Sequence, residues 1–238
     1  MTEKLYIINP AYNEKENIVK CVVDWYAVIE QFGNDESRLV IVDDGSKDNT
    51  LDLLQELKKN HKQLIVLKKE NGGHGSAVLY GYNYAIDQKA DWVFQTDSDG
   101  QTNPKEFGDF WAKRTKYDAL IGIRTARKDG LLRKSIEKVV CIMLFLFFGI
   151  RIKDANAPFR LMKSSTIKKY IKKLPKNFNI PNIMMTTYFV YFNESLCFLP
   201  ISFKAREKGK NSVNLYKIFQ IGWRAIGDFI DLRLHIDD

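Results

Sequence analysis

WVFQTDSDGQTN, residues 92–103, joins a short apolar run to a turn that carries two aspartates. Two carboxylates one residue apart, Asp97 and Asp99, repel each other unless a cation joins them. Oxygen ligands suit Mg²⁺ or Mn²⁺, and such an ion often completes its coordination with substrate phosphates. An aspartate-rich turn without any ligand is the alternative. Because this turn ends an apolar strand, we predict a metal site at Asp97 and Asp99, with Gln101 as a further oxygen ligand.

The surrounding sequence alternates between short apolar runs and segments with helical periodicity. Strands are predicted at 5–9, 38–44, 64–68, 92–97 and 118–124, with helices at 17–32, 49–60, 76–89 and 104–116 between them. Further helices are predicted at 131–150, 164–173 and 183–192, a strand at 196–204, and an amphipathic helix at 213–234. Such alternation predicts an α/β fold with a mainly parallel sheet flanked by helices.

Polar segments follow the first four predicted strands. They are NPAYNE (9–14), DDGSKDNT (43–50), NGGHGSA (71–77) and DSDGQTNP (97–104). In a doubly wound sheet the carboxyl ends of the strands share one edge, where ligands bind. None of the segments is a P-loop or a dinucleotide fingerprint. The sequence therefore predicts a ligand site of another kind at this edge.

Individual residues in these segments have both a binding and a structural interpretation. Asp43 and Asp44 are suited to accept hydrogen bonds from a base or ribose, but they are also typical of a turn that caps a helix. Tyr12 and Glu14 are able to stack on and bond a nucleotide, or simply to begin a helix. The glycines of NGGHGSA allow close approach of a ligand to the backbone, and His74 is interpreted as a turn residue.

Positive charge is concentrated in one part of the chain, whose formal net charge is +8. Residues 124–176 contain 15 Lys and Arg against three acidic residues, and they enclose the uncharged run VVCIMLFLFFGI at 139–150. A basic segment around a short apolar run favours contact with an anionic lipid surface. A buried core helix, a nucleic-acid surface and plain solubility are the alternatives. The chain shows no signal peptide and no apolar run of the ~20 residues that cross a bilayer, so we expect a cytoplasmic, peripheral protein.

Six strings occur in an order that resembles family-2 glycosyltransferases of the GT-A (Rossmann-like) fold. They are PAYNE, VDDGSKDNT, GGHGSA, DSDGQTNP, DANAPFR and AREKGKNS. The sequence is most similar to the branch that uses polyprenyl phosphates, which includes dolichol-phosphate mannose synthase. The resemblance implies one catalytic domain with a nucleotide-sugar-binding half, 1–125, and an acceptor-binding and membrane-interface half, 126–238, with C-terminal amphipathic interface helices.

The resemblance also implies a role for each matching residue. Nucleotide-binding residues would be Pro10, Ala11, Tyr12, Glu14, Asp43, Asp44, Gly73, Asp97 and Ser98. The metal, Mg²⁺ or Mn²⁺, would be held by Asp97, Asp99 and Gln101, and the catalytic residues would be Asp97, Asp99, Arg206 and Asp154. The acceptor phosphate would be bound by Arg124, Arg133, Arg160, Arg206 and Ser212.

The function expected from the resemblance is metal-dependent, inverting transfer of a sugar from a UDP- or GDP-linked donor to a polyprenyl phosphate on the cytoplasmic face of a membrane. A phosphate acceptor is largely ionised at pH 7 and needs little help from a base. The Glu-Asp base of relatives that glycosylate hydroxyl groups would fall within 179–187, where this sequence has no carboxylate. Transfer to a saccharide hydroxyl, with Asp154 or Glu194 as base, stays open. So does a non-catalytic nucleotide-binding subunit. We expect no nucleic-acid partner, and homo-oligomers are possible.

Overall fold

The computed structural model describes residues 3–127, 131–175, 178–206, 208, 227–234 and 236. The first half contains β1 (Leu5–Ala11), α1 (Ile18–Phe32), β2 (Arg38–Asp43), α2 (Thr50–Asn60), β3 (Leu64–Lys68), α3 (His74–Asp87), β4 (Trp92–Thr96) and α4 (Phe107–Lys113). The second half contains β5 (Ala119–Arg127), α5 (Leu131–Phe148), β6 (Phe159–Lys163), α6 (Ser164–Ile171), α7 (Pro181–Tyr191) and β7 (Leu196–Phe203). Residues 227–234 are also helical.

One seven-stranded sheet, in the order β3-β2-β1-β4-β6-β5-β7, runs through both halves. The pairs β1–β2, β1–β4, β2–β3 and β5–β7 are parallel, whereas β6 is antiparallel to both of its neighbours. Every strand except β6 therefore points in the same direction. The predicted α/β fold with a mainly parallel sheet is confirmed.

Strand β6 is the element that the sequence analysis missed. Its sequence, FRLMK, is short and has a cation at its second and last positions, which is not typical of a central strand. Tertiary contacts override this weak local signal, because β6 lies between β4 and β5 and its first four residues are buried.

Helices cover both faces of the sheet, and the strands are accordingly apolar on both sides. All seven residues of β1 are buried. Ile8 faces a core formed with α3, α5, α6 and α7, whereas Ile7 faces a second core formed with α1 and α4. Helix α1 buries Ile18, Cys21, Val22, Trp25, Val28 and Ile29, at the spacing of one helical face. Burial of each large aliphatic side chain stabilises such a core by about 1.5–3 kcal/mol.

Helix α5 is buried on one side only. Leu144 and Phe148 belong to the core, and the helix ends at Gly149, whose φ of +70° suits a left-handed C-terminal position. Among the residues that the structure describes, no helix is long and apolar enough to cross a membrane. Most of the predicted amphipathic helix at 213–234 lies outside the described residues. Its last part, 227–234, packs Phe229 and Leu232 into the same core as α5.

Replacing Gly81 with alanine is expected to destabilise the protein, because α3 crosses β1 so closely that the new methyl group would lie 2.3 Å from Ile8 Cγ2. Overpacking costs about 1–3 kcal/mol, more than the ~1 kcal/mol that alanine gains over glycine within a helix. Urea denaturation should therefore show a lower free energy of unfolding. Gly108→Ala in α4 is the control, since its nearest contact would be Phe32 Cζ at 3.4 Å. Equal stabilisation by both changes would contradict the close packing of α3 on β1.

Candidate donor and acceptor site

The loops that follow β1, β2 and β4 meet at one edge of the sheet, as predicted. Ser98 Oγ donates to the Pro10 carbonyl at 2.8 Å, so the loop after β4 is joined to the end of β1. The Asp44 amide donates to the Ala11 carbonyl at 2.9 Å, which joins the ends of β1 and β2. Tyr12, half-buried, directly follows β1 at this edge. Pro10, Ala11 and Ser98 thus form the buried floor of the site.

Asp97 and Asp99 lie on the turn after β4 with few hydrogen bonds to offset their charge. Gln95 Nε2 donates to Asp97 Oδ1 at 3.2 Å, and the Gln101 amide donates to Asp99 Oδ1 at 3.1 Å. Burial, together with the neighbouring Asp97 charge, raises the pKa of Asp99 to about 6. Burial also raises the pKa of Asp97, against the opposing effect of His74. Two carboxylates that are difficult to ionise together form a pair that a divalent cation would stabilise.

The donor set fits Mg²⁺ or Mn²⁺. Within the described residues, no group of three or more His, Cys, Asp and Glu side chains is placed to hold a metal. Two carboxylates alone would leave most coordination positions to other oxygens, as these ions accept when they bind phosphates. The third predicted ligand, Gln101, is buried, and its Nε2 donates to the Lys204 carbonyl at 2.7 Å. That hydrogen bond connects the turn to the segment after β7. Metal binding by Gln101 stays a prediction.

Glu14 and Arg206, which are 192 positions apart, form an ion pair beside this turn. Arg206 Nη2 donates to both carboxylate oxygens of Glu14 at 2.7 Å, and Asn17 Nδ2 donates to Glu14 Oε2 at 2.7 Å. Burial raises the pKa of Glu14 in spite of these bonds, and the charge of Asp99 adds to the effect. The structure thus brings together a residue predicted to hold nucleotide and one predicted to bind phosphate.

Asp43 and Asp44 are both buried, but their surroundings differ. Asp43 Oδ2 accepts a bond from the Ser46 amide at 3.3 Å, while its Oδ1 has no hydrogen-bond partner among the residues that the structure describes. Asp44 Oδ1 accepts from Lys69 Nζ at 2.6 Å and from the Gly72 amide at 3.0 Å. Asp44 Oδ2 accepts from the Gly73 amide at 2.8 Å. Asp43 therefore has one unsatisfied but buried oxygen, and its nucleotide contact stays a prediction, whereas the carboxylate of Asp44 binds the loop before α3. Asp44 thus has a structural role, and its predicted nucleotide contact stays a prediction.

His74, which the sequence analysis interprets as a turn residue, lies beside the aspartate turn. Its Nε2 lies 3.8 Å from Asp97 Oδ1, and its side chain is 47% exposed. The sequence contains one signal for this placement, which is the position of His74 after a predicted strand. His74 follows a glycine run after the third strand, and the ends of parallel strands share an edge with the aspartate turn.

Arg124 and Asp154 face each other in the second half of the chain. Arg124 Nε donates to Asp154 Oδ2 at 2.8 Å, and Arg124 Nη2 donates to Asp154 Oδ1 at 2.7 Å and to Glu137 Oε2 at 3.2 Å. A bidentate ion pair of this kind disfavours Asp154 as a general base, and the ion pair fixes the orientation of Arg124, while a catalytic role for Asp154 stays a prediction. The group borders a cavity of about 400 Å³, whose lining includes Arg124, Glu137, Lys138, Ile142, Lys153 and Asp154.

Arg160 is wrongly placed by the sequence analysis, which expected it at the acceptor phosphate. Its side chain is fully buried. The guanidinium donates to the carbonyls of Asn182 at 3.0 Å and Ala155 at 3.2 Å, and to Thr186 Oγ1 at 3.0 Å. These bonds join β6 to α7 and leave no exposed surface for a ligand. Arg160 therefore supports the site from within the core.

The remaining predicted residues divide into two groups. Ser212 and the side chain of Arg133 lie outside the described residues. Glu194, the alternative base, bonds Lys169 and Tyr170 and lies two residues before the start of β7. Since β7 and β4 point in the same direction, Glu194 lies at the edge opposite the aspartate turn. Its position contradicts a role as base at this site.

In the metal-free protein, Asp99→Asn is expected to raise the free energy of unfolding at about pH 7.5 and to leave it unchanged near pH 4. The pKa of Asp99 in the folded protein, about 6, lies above the ordinary carboxyl value of 3.8. The free energy of unfolding of the wild type therefore falls as the pH rises from the ordinary value through about 6. Asparagine does not ionise and avoids the loss. Urea denaturation with EDTA at both pH values measures the effect.

The control for this comparison is Asp87→Asn, which removes an exposed carboxylate at the end of α3. This change should not raise the free energy of unfolding at pH 7.5 relative to pH 4. An Asp99→Asn protein less stable than wild type at the higher pH would contradict the unfavourable charge at this turn.

Comparisons with known proteins agree with this geometry. The model of Glycosyl transferase family 2 matches residues 6–194. Undecaprenyl-phosphate 4-deoxy-4-formamido-L-arabinose transferase from Edwardsiella ictaluri is 25% identical over 218 residues, which cover 90% of this chain and 64% of the relative. The Proteus mirabilis protein of the same name is 26% identical over 222 residues, with 92% and 65% covered. The chain thus spans just under two thirds of the length of these relatives.

Solved structures show the same fold. Glucosyl-3-phosphoglycerate synthase from Mycobacterium tuberculosis, in complex with Mn²⁺, UDP and phosphoglyceric acid, superposes with a TM-score of 0.69 at 14% identity, covering 97% of this chain and 78% of that one. S. aureus TarS 1–349 with UDP-GlcNAc gives a TM-score of 0.65 at 19% identity, covering 95% and 66%. The aspartate turn, the sheet order and the extent of the family match lead to one conclusion: the chain belongs to glycosyl transferase family 2.

Proposed function

We propose that this chain transfers a sugar from a nucleotide-diphosphate donor to a polyprenyl phosphate at a membrane surface, with Mg²⁺ or Mn²⁺. The observation that carries the proposal is the carboxylate pair Asp97–Asp99 at the carboxyl end of β4. The pKa values of both carboxyl groups are raised because burial and mutual repulsion disfavour their charged forms, and a bound divalent ion would offset that charge. The relatives named above act, by their names, on undecaprenyl phosphate.

The donor would lie along the edge formed by β2, β1 and β4. The unpaired Asp43 Oδ1 is buried, so the base would reach it only if neighbouring groups shift, whereas half-buried Tyr12 offers a ring at the same edge. The diphosphate would lie at Asp97 and Asp99, where a bound divalent ion would offset the charge of the leaving group. Arg206 lies on the same side, in its ion pair with Glu14, and its guanidinium is suited to a phosphate.

The acceptor would approach from the other side, through the cavity beside Arg124. Its exposed cations, Lys138 and Lys153, are suited to an acceptor phosphate, whereas Asp154 orients Arg124. A phosphate monoester attacks without a strong base because its second pKa is about 6. The first turns of α7 carry no carboxylate, and Glu194 lies at the far edge. These positions favour a phosphate acceptor over a saccharide hydroxyl.

The exposed side of α5 supports action at a lipid surface. Val139, Ile142, Phe145 and Leu146 are 44–73% exposed, and the neighbouring helix at 227–234 adds exposed Ile230 and Leu234. Exposed Lys138, Arg151 and Lys153 lie near the ends of this apolar patch. An amphipathic helix with such a border binds anionic lipid at the headgroup level. The patch adjoins the cavity through Ile142, so a lipid acceptor would enter it from the membrane. We infer that this membrane face is the cytoplasmic one.

Incubation with a panel of radiolabelled UDP- and GDP-sugars, undecaprenyl phosphate and Mn²⁺ is expected to move label into the organic phase. Asp99→Ala or added EDTA should lower the rate by about 100-fold or more, because the leaving diphosphate would lose its counter-charge. Asp87→Ala, at an exposed position, is the matched carboxylate control. Label appearing in a water-soluble saccharide instead would favour the hydroxyl acceptor. Absence of transfer from every donor would contradict an enzymatic role.

The double variant Ile142→Glu/Leu146→Glu is expected to reduce flotation with phosphatidylglycerol liposomes. Each lost apolar side chain removes about 1.5–3 kcal/mol of burial, which predicts at least a tenfold fall in the partition coefficient. Val19→Glu/Val23→Glu is the control, because these α1 residues are also exposed, at 42% and 52%, but lie on the other face of the sheet. Equal loss in both double variants, or none in either, would contradict a lipid-facing α5.

A further inference from the structure

The loop between β3 and α3 is held in place in spite of its glycines. Asp44 accepts bonds from the Gly72 and Gly73 amides at 3.0 and 2.8 Å and forms an ion pair with Lys69. Asn71 Nδ2 adds a bond to the Asp44 carbonyl at 2.8 Å. A buried carboxylate with this many partners fixes the backbone that leads into α3. Hydrogen bonds therefore hold the backbone of this loop at Gly72 and Gly73.

The first turn of α3 also packs closely against the segment before α7. A Cβ atom at Gly75 would lie 2.1 Å from the Phe178 carbonyl oxygen and 2.7 Å from that of Asn179. Only glycine permits the helix to approach the segment before α7 this closely. Gly73 precedes the helix with a φ of +88°, a conformation that other residues rarely adopt. The residue between these two glycines, His74, therefore has a backbone position set from both sides.

The imidazole of His74 points toward the aspartate turn from this fixed position. It lies 3.8 Å from Asp97, which is too long for a hydrogen bond, and about half of its surface is exposed. A half-exposed ring held beside a carboxylate by a rigid backbone has room to contact a ligand that also touches the carboxylate. Its two nitrogens are able to bond hydroxyl groups.

The two sides of the turn differ in what surrounds them. On the α1 side of the sheet, Glu14 and Arg206 lie near Asp99. On the α3 side, His74 lies near Asp97, and the same face carries α5 and α7. The proposed acceptor cavity is lined by α5. With the diphosphate at the turn and the base over β1 and β2, as proposed, a sugar that reaches the acceptor cavity would project toward this second side, where His74 lies.

We propose that His74 contacts the sugar of the nucleotide-sugar donor and helps to select it, through hydrogen bonds to sugar hydroxyl groups. This inference rests on the proposed function, because it takes the donor to be a nucleotide-diphosphate sugar. Asp44 and Gly75 are then positioning residues, which hold the ring within reach of the sugar. A side chain presented by fixed backbone discriminates between stereoisomers better than one on a mobile loop.

Equilibrium binding of UDP, GDP, UDP-glucose, UDP-N-acetylglucosamine and GDP-mannose, each with Mn²⁺, tests the proposal. His74→Ala should weaken binding of the preferred sugar nucleotide about tenfold, as expected for one lost hydrogen bond to a polar group, and change binding of the matching diphosphate by less than about twofold. His74→Asn, which keeps a donor and an acceptor, should recover part of the loss. Tyr80→Ala, at an exposed position further along α3, is the control and should change neither affinity.

Three outcomes would overturn the inference. Equal weakening of diphosphate and sugar nucleotide in His74→Ala would place the ring at the diphosphate. If His74→Ala keeps wild-type thermal stability and unchanged affinity for both the diphosphate and the sugar nucleotide, His74 does not contact the donor. Failure of the wild type to bind any of the five ligands would contradict the proposed function as well, whereas the first two outcomes leave that function standing.

Discussion

Two carboxylates on one turn, Asp97 and Asp99, impose the constraint on which the rest of the site depends. They are partly shielded from water and close to each other, so the folded protein raises the pKa of both. A fold gains nothing in stability from such a pair, because ionising both costs free energy. The arrangement becomes favourable when a divalent cation and an anionic ligand complete it. The neighbouring groups, Glu14 with Arg206 on one side and His74 on the other, are arranged around this charge.

The sheet explains how residues from distant parts of the chain reach that turn. Parallel connections bring the ends of β1, β2 and β4 to one edge, which is how Pro10, Asp43 and Ser98 come together. Strand β6 runs in the opposite direction between β4 and β5, and this reversal allows β5 to point the same way as β4. Arg124, near the end of β5, is thereby brought to the same side as the aspartates. One antiparallel strand thus joins the proposed donor and acceptor sides of a single sheet.

Several charged residues near the site hold the structure rather than face a ligand. Arg160 is fully buried and bonds carbonyls at the start of α7, and Asp44 binds the backbone of the loop before α3. Both were predicted to contact substrate, because their residue types are equally suited to either task. Buried ionised groups are retained only where hydrogen bonds satisfy them, and both residues meet that condition. Removing either would disturb the site indirectly, through α7 or through the position of His74.

The sequence alone determined the features that depend on local pattern. The period of two or of 3.6 residues identified the described helices and all strands except β6, and the position of DSDGQ after an apolar run identified the turn at which we propose a metal. It also determined that these motifs belong to glycosyl transferase family 2. Only the tertiary structure decided which charged groups face one another, because contacts such as Glu14–Arg206 join residues 192 positions apart and leave no trace in local periodicity. The same holds for burial: whether an arginine or aspartate lies in the core or at the surface depends on the neighbours that packing gives it, as Arg160 and Asp44 show.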